Sequence, residues 1–282
     1  MPLKSPAPAV WRACSQHNNQ SHLLFLPSIC TIFAPCKQGL SAVSSLFRMS
    51  NNYFRFKQFT VFQDRCAMKV GTDGILLGAL ASLSCADSRV LDVGTGTGIL
   101  SLMVAQRCPS ARVVALDIDP DAVLQAGDNV AASPWADRIM VLCADFKDFS
   151  SDTLFDFLIS NLPYFVDSLH CPSPTRSLAR HADSLSCQDL FKGAVRCLKS
   201  NGRLAVILPY TSRQAAVEQG LCAGFYLSRC VNIYSRLGKP CLRVVLEFGR
   251  TPCDCVEEQL VLTDERGQRT PSFAVLTRDF YL

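Results

Sequence analysis

A glycine-rich turn between a predicted strand and a predicted helix constrains the fold of this chain more than any other feature. Residues 89–93 form a short apolar run typical of a buried strand, and Gly94, Gly96 and Gly98 follow it directly. Apolar residues then recur at helical spacing from Ile99 onward. Glycine lets the backbone turn sharply and lets a ligand lie directly against it. The segment therefore predicts the opening strand–turn–helix unit of an α/β fold, with a ligand at the turn.

Strands and helices alternate along the chain after this turn. Asp119 is suited to cap the helix that Pro120 opens, and Asn201-Gly202 is expected to end a helix over 187–198. Strands are predicted at 89–93, 112–116, 139–143, 155–160, 204–208, 242–248 and 259–262. The alternation predicts an α/β fold with a mostly parallel, seven-stranded sheet and helices on both faces. Ligands bind outside the carboxyl ends of such strands.

Acidic residues follow the second and third predicted strands. Asp117 stands 23 residues after Gly94, where a carboxylate can accept both hydroxyls of a ribose, and Asp145 follows the next strand. The nicotinamide fingerprint G-x-G-x-x-G would need glycine at position 99, which is Ile99. The observed D-x-G-x-G-x-G resembles motif I of the class I S-adenosylmethionine-dependent methyltransferases, whose fold is Rossmann-like. The resemblance implies that this cofactor is bound by Asp92, Gly94, Gly96, Gly98, Asp117 and Asp145.

The fourth predicted strand runs into Asn161-Leu162-Pro163-Tyr164. This tetrapeptide resembles the N-P-P-Y motif of methyltransferases that act on planar amino or amide nitrogens, with Leu162 in place of the first proline. An amine conjugated with its ring is a poor nucleophile. An asparagine oxygen and a backbone carbonyl can accept its two N–H bonds and orient the lone pair. Tyr164 is expected to stack on the base, and Leu162 keeps the carbonyl but loses the fixed φ of proline. All four residues are catalytic candidates.

Longer stretches resemble one family, the bacterial tRNA1(Val) (adenine(37)-N6)-methyltransferases. The resemblance is carried by 54–59, 64–78, 133–136, 174–180 and 274–282, and it covers residues 53–282. It implies methyl transfer to N6 of the adenine 3′ of the anticodon, with a valine tRNA anticodon loop as partner. It also implies that Lys69, Thr72 and Asp73 lie at the cofactor pocket, the alternative being a purely structural helix. Three further residues are candidates to bind tRNA phosphates near a flipped base, the alternative being a solvated loop: Arg176, Arg180 and His181.

The first 48 residues differ from the rest of the chain. They contain four basic residues, no acidic residue and five of the fifteen prolines. A signal or transit peptide fits them only loosely. The favoured interpretation is that translation begins at Met49 and that residues 1–48 are a misassigned upstream extension or a disordered leader. The expected methyltransferase domain is then 49–282.

Charge and cysteine content restrict the binding partners, the compartment and the metal content that can be expected of the protein. Residues 49–282 hold 24 basic and 24 acidic residues, so any nucleic-acid surface must be a local patch. Fifteen cysteines without paired spacing indicate reduced thiols and a cytoplasmic protein. Cys253 and Cys255 have no second pair at zinc-binding spacing, so no metal is expected. The sequence contains no uninterrupted run of about eighteen apolar residues, so no membrane-spanning helix is predicted.

Two alternatives to a tRNA adenine N6-methyltransferase stay open. The tetrapeptide would serve equally in methyl transfer to another nitrogen, such as guanine N2 of ribosomal RNA or a glutamine amide of a protein. The departure at Leu162 also leaves a cofactor-binding but inactive RNA-binding protein. The stretch at 54–78 favours tRNA as the substrate.

Overall fold

Ten strands run through the residues that the structure, a computed structural model, describes, namely 51–66, 68–162 and 185–282. They are β1 Tyr53–Arg55, β2 Thr60–Phe62, β3 Arg89–Val93, β4 Arg112–Asp117, β5 Ile139–Cys143, β6 Phe155–Ser160, β7 Leu198–Pro209, β8 Tyr226–Arg236, β9 Cys241–Gly249 and β10 Val256–Thr263. Strands β1 and β2 form a separate hairpin. The other eight form one sheet in the order β10-β8-β9-β7-β6-β3-β4-β5.

Seven of the eight strands in this sheet share one direction, and β9 alone runs against its two neighbours. The first strand of the alternation, β3, lies near the centre with β6 on one side and β4 on the other. Strand order reverses at this point, because β4 and β5 extend to one side while β6 and β7 extend to the other. The crevice outside such a switch point is where ligands bind in open α/β sheets.

Six α-helices cover the sheet in the described part of the chain, and local signals explain where several begin. The carboxylate of Asp119 accepts a hydrogen bond from the Asp121 amide, and Pro120 occupies the first turn, as the sequence predicts. Ser186 and Asp189 form a capping box at another helix start. The helices are α1 Thr72–Leu80, α2 Ile99–Arg107, α3 Pro120–Ala131, α4 Cys187–Cys197, α5 Arg213–Cys222 and α6 Pro271–Thr277.

The structure confirms the α/β class and corrects two details of the prediction. The sheet has eight strands rather than seven, because β8 was not predicted. In β8, polar and apolar residues are mixed without a clear alternation. Helix α4 ends at Cys197, one residue before its predicted end, but Asn201-Gly202 lies inside β7 instead of forming a turn, because the strand begins at Leu198, which pairs with Phe155. A sheet contact therefore overrides the local stop signal.

The core consists of two clusters of buried apolar residues, one on each face of the sheet. Strand β6 shows the division, because Phe157 and Ile159 belong to one cluster and Leu158 to the other. Helices α1 and α2 pack on the first face, and α4 and α5 pack on the second. Since β6 is buried on both faces, the position of the residue that follows it is fixed from both sides. No helix among the described residues is long and apolar enough to cross a membrane.

Candidate active site

A cavity of about 260 Å³ opens at the carboxyl ends of β3, β4 and β6. Its walls come from the glycine turn after β3, from Asp117, from Asp145 and from Asn161. The segment from Met68 to Gly71, ahead of α1, closes another side. The structure thus brings together residues that the sequence analysis selected from five separate segments.

Gly94 and Gly96 form the floor of the cavity and have positive φ angles of 73° and 55°. A Cβ atom built on either glycine would meet nothing within 4 Å, so each would point into open space. Gly98 differs, because its Cβ would lie 3.3 Å from Cβ of Ala126 on α3. Gly98 has a φ of 82° and is the N-cap of α2. The first two glycines therefore expose backbone to a ligand, whereas Gly98 permits close packing of α3 against the turn.

Asp92 lies beneath the turn, fully buried and away from the cavity wall. Its Oδ2 accepts hydrogen bonds from Thr95 Oγ1 at 2.7 Å and from the Oγ and N of Ser101 at 2.7 and 3.1 Å. Burial raises the pKa of Asp92 to about 6. The carboxylate therefore holds the turn to the start of α2. Its predicted contact with a cofactor stays a prediction, because the described residues place it behind the turn.

Asp117 ends β4 and stands on the cavity wall. Its Oδ2 accepts from the Gly96 amide at 2.8 Å and its Oδ1 accepts from the Asp119 amide at 3.0 Å. Each oxygen keeps a further lone pair, as acceptance of two ribose hydroxyls requires. Burial raises the pKa of this carboxyl above its ordinary value. Asp145 lies on the same wall, with Oδ1 accepting from the Lys147 amide at 2.8 Å.

Asn161 follows β6 and faces the same cavity. Its Oδ1 is buried and has no hydrogen-bond partner in the part of the chain that the structure describes. A Cβ on Gly74 of α1 would lie 3.9 Å from Asn161 Nδ2, so α1 closes over this side chain. Ser160 Oγ donates to the Val93 carbonyl at 2.7 Å and ties β6 to the strand that carries the glycine turn. The sheet thus sets Asn161 and the turn at a fixed separation.

Leu162 is only 4% exposed and belongs to the cluster on the second face of the sheet. Its side chain therefore contributes to the core at the position where the related motif has proline. The next two catalytic candidates, Pro163 and Tyr164, lie outside the described residues. So do the three candidates for phosphate binding, Arg176, Arg180 and His181.

The segment ahead of α1 is anchored by two glutamines. Gln63 Oε1 accepts from the Val70 amide at 2.8 Å, and Gln125 Oε1 on α3 accepts from the Arg65 amide at 3.1 Å. Lys69 lies on the cavity wall, as expected. Thr72 and Asp73 are not among the residues that line it. Asp73 instead forms an ion pair with Arg243 on β9, with Oδ2 and Nε 2.9 Å apart.

Sequence reasoning missed several residues of the wall, among them Cys66, Met68 and Phe146. Burial, with the charges of Asp117 and Asp119, raises the pKa of Cys66 to about 11. This thiol therefore stays protonated at neutral pH and is a poor nucleophile. Cys66 and Met68 lie in the stretch 64–78 that carries the family resemblance, and Phe146 follows Asp145, but the sequence pattern assigned no chemical role to any of the three. No group of three or more potential ligands for a metal ion occurs among the described residues.

The shape and donor set of the cavity fit S-adenosylmethionine. Exposed backbone at Gly94 and Gly96 leaves room where side chains would otherwise stand. Asp117 offers acceptors for hydroxyls, and Asn161 Oδ1 is a buried acceptor in need of a donor. The cavity therefore combines acceptors for a hydroxyl-bearing ligand with a buried, unpartnered acceptor on its wall.

Comparisons with known proteins agree with this geometry. The model of the family described as Methyltransferase small domain matches residues 65–221. A tRNA1(Val) (adenine(37)-N6)-methyltransferase of Phocaeicola vulgatus is 48% identical over 234 residues, which are 83% of this chain and 99% of that protein. Proteins of the same name from Bacteroides thetaiotaomicron and Tolumonas auensis are 45% and 42% identical, each over 83% of this chain and over 99% and 98% of their own lengths.

Among solved structures, the chain resembles one described as a predicted O-methyltransferase from Agrobacterium tumefaciens. The TM-score is 0.57 at 21% identity, over 74% of this chain and 96% of that one. This likeness supports the class I methyltransferase fold.

Proposed function

This chain belongs to the family of tRNA1(Val) (adenine(37)-N6)-methyltransferases, and from that premise we propose that it methylates N6 of adenine 37 in a valine tRNA, with S-adenosylmethionine as the methyl donor. The observation that carries the proposal is an unpartnered asparagine oxygen, buried beside a glycine-floored cavity. Two further observations support it. The tetrapeptide at 161–164 resembles the N-P-P-Y motif, and relatives that match over most of the chain carry the name of this activity.

S-adenosylmethionine, when bound, supplies an electrophilic methyl group carried by a sulfonium. In this chain Gly94, Gly96 and Asp117 would hold it, with Asp145 and Lys69 on the adjoining walls. The Asp117 carboxylate would accept the ribose hydroxyls through the lone pairs that the Gly96 and Asp119 amides leave free. Asp92 and Gly98 would act indirectly, because they keep the turn in place from beneath.

Asn161 and the backbone carbonyl of Leu162 would orient the target amine. Asn161 Oδ1 accepts one N–H of the adenine amino group, and the carbonyl accepts the other. The nitrogen lone pair is then directed out of the ring conjugation and towards the cavity. No general base is needed before attack, because the nitrogen loses its extra proton only after it has been methylated. The Leu162 side chain is buried in the core cluster on the second face of the sheet, and this packing would support the turn in place of the proline ring.

We assign the methyltransferase domain to residues 49–282 as part of the same proposal. The family model at 65–221 and the alignment of relatives to 83% of the chain support this extent. The eleven cysteines that the structure describes are all free thiols, which suits a reducing compartment such as the cytoplasm.

Nucleoside mass spectrometry tests the proposal. The full chain is incubated with S-adenosylmethionine and an unmodified valine tRNA transcript, which is then cut into fragments. We expect N6-methyladenosine only in the fragment that carries adenine 37, and none in a transcript with guanine at that position. Methylation of a ribosomal RNA fragment or of a protein in place of the transcript would contradict the assigned substrate. Cofactor binding without any methylated product would contradict the activity.

A further inference from the structure

The carboxyl edge of the sheet carries a second polar surface, beyond the cavity, where β8 turns into β9. Residues 236–240 of this turn are exposed, and Leu237 is 72% exposed. We call residues 236–243 the basic turn, because they contain Arg236, Lys239 and Arg243 and no acidic residue. The proposed activity places no residue of this turn in the cavity.

Two of the three cations of the basic turn form no ion pair with a described residue, although Asp264 follows Thr263, the residue of β10 that pairs with Arg236. From Tyr226 to Leu246 the chain has four basic residues and no acidic one. Arg229, at the other end of β8, is paired with Glu247 and Glu258, and Arg243 is paired with Asp73. Arg236 and Lys239 form no ion pair with any described residue. Two exposed cations thus remain available at the end of a rigid hairpin.

The register of the sheet places this turn beyond the candidate catalytic asparagine. Ser160, next to Asn161, pairs with Val206, whereas Arg243 pairs with Pro209 three residues further along β7. At about 3.3 Å per residue and about 4.8 Å per strand, Arg243 stands roughly 10 Å outward and roughly 10 Å sideways from the end of β6. The basic turn projects further out in the same direction. A polymer with one of its units bound at Asn161 could therefore extend across the basic turn.

Contacts through α1 connect the turn to the cavity. Arg243 holds Asp73, and the next residue, Gly74, is the one that packs against Asn161. Tyr210 follows Pro209 at the end of β7 and is 45% exposed. An exposed aromatic ring therefore lies between the cavity and the cations. Basic residues interleaved with an aromatic ring are typical of surfaces that bind single-stranded nucleic acid.

We infer that the basic turn and Tyr210 form the docking surface for the RNA strand next to the target adenine. Arg236 and Lys239 contact phosphates, and Tyr210 stacks on an unpaired base of the loop. The inference rests on the proposed function, since it takes the anticodon loop of a tRNA as the polyanion. It adds to that function the face of the protein over which the RNA runs, namely the β7–β9–β8 side of the sheet.

Charge reversal at matched arginines tests the inference. Arg236 ends β8 at the carboxyl edge, whereas Arg112 begins β4 at the opposite edge; both are exposed and neither forms an ion pair with a described residue. The full chain with Arg236→Glu, Lys239→Glu or Arg112→Glu is titrated with fluorescently labelled valine tRNA at several salt concentrations. Cofactor affinity and the melting temperature are measured on the same samples.

We expect Arg236→Glu and Lys239→Glu each to weaken tRNA binding roughly tenfold and to lower the slope of log affinity against log salt by about one. Arg112→Glu is expected to leave both quantities unchanged, and all three variants are expected to bind the cofactor normally. Tyr210→Ala is expected to weaken tRNA binding without changing the salt slope, because stacking releases no counterions.

Unchanged tRNA affinity and salt slope in Arg236→Glu and Lys239→Glu would overturn the inference, as would an equal loss in Arg112→Glu. The readout is binding, so it is independent of turnover. If wild-type protein bound tRNA through this turn but methylated nothing, the proposed function would fail while the docking surface stood.

Discussion

Two regions of one sheet edge differ in the polar groups that they present. Carboxylates lie at the ends of β4 and β5, where Asp117 and Asp145 line the cavity. Basic side chains lie at the end of β8 and near the start of β9, at Arg236 and Arg243. The first region also has glycines with exposed backbone, whereas the second has an exposed hairpin turn. The cofactor region is therefore a concave floor of acceptors, and the proposed RNA region is a projecting set of cations.

Under the proposed function and the inferred docking surface, both substrates would bind along one edge of the sheet. A carboxylate suits a ligand that offers hydroxyl donors and a sulfonium charge, and a cation suits a phosphate chain. Asn161 follows β6 and lines the cavity on the side that faces β7, β9 and β8, so it stands at the boundary of the two regions. The physical separation predicts that each ligand can be weakened without loss of the other, and that only the boundary residue controls turnover.

The largest expected effect is at this boundary. Asn161→Ala removes the side-chain acceptor for the target amine, so we expect turnover on valine tRNA to fall by about 10²–10³. Binding of the cofactor and of tRNA should change little, because Gly94, Gly96, Asp117 and the basic turn are unaltered. Steady-state kinetics with both affinities measured separately check this result.

The matched control for that variant is Asn201→Ala, which changes an exposed asparagine near the start of β7, at the opposite edge. It should retain full turnover. Asn161→Asp keeps an acceptor oxygen and is expected to recover part of the activity lost in Asn161→Ala. Equal losses of turnover and of cofactor affinity in Asn161→Ala would instead assign the side chain a structural role.

A smaller effect is expected in the carboxylate region. Asp117→Asn keeps the size of the side chain but removes the charge that the ribose hydroxyls would meet. Charge-assisted hydrogen bonds contribute about 1.5–3 kcal/mol, so cofactor affinity should fall roughly 10- to 100-fold. Calorimetric titration measures this, with Asp137→Asn, an exposed carboxylate just before β5, as control. Unchanged affinity in Asp117→Asn would remove this residue from the ribose site.

The smallest expected effect concerns Asp92 beneath the glycine turn. Burial raises its pKa in the folded protein to about 6 from an ordinary value of 3.8, so the folded state binds a proton more readily than the unfolded state between these values. Protonation therefore stabilises the fold as pH falls through the folded pKa. Between about pH 7.5 and about pH 5 this contributes about 1 kcal/mol to the free energy of unfolding.

Thermal unfolding across this range checks the sign. The contribution corresponds to a rise in Tm of about 2–4 °C on acidification. Asp92→Asn cannot titrate and should lose that part of the pH dependence, whereas Asp137→Asn should keep it. A wild-type profile and an Asp92→Asn profile that run parallel would show that Asp92 does not change its protonation in this range.

Much of the fold was predictable because its signals are local. The bounds predicted for β3, β5 and β6 coincide with those observed, since short, mostly apolar runs define them. Strand β8, which was not predicted, forms through pairing with β9 and β10, and its own sequence has no pattern that indicates a strand. The start of β7 was placed at 204 instead of Leu198 for the same reason, because Leu198 pairs with Phe155 of β6.

Most residues of the cavity were predictable from the sequence, whereas the different roles of those residues were not. The sequence predicts Gly94, Gly96 and Gly98 as equivalent ligand contacts, but only packing against Ala126 shows that the third serves the fold. In the same way, Asp73 was expected at the cofactor, and its ion pair with Arg243 depends on a strand 170 residues away in sequence. Such roles arise from long-range contacts, which a local pattern does not encode.

The most direct test of separate cofactor and RNA regions on the sheet edge measures the affinity for each ligand in one variant of each region. Dissociation constants for S-adenosylmethionine and for valine tRNA are determined in wild type, Asp117→Asn and Arg236→Glu under the same conditions. The account predicts a crossed result: Asp117→Asn loses cofactor affinity and keeps tRNA affinity, and Arg236→Glu does the reverse. Parallel losses of both affinities in both variants would contradict it.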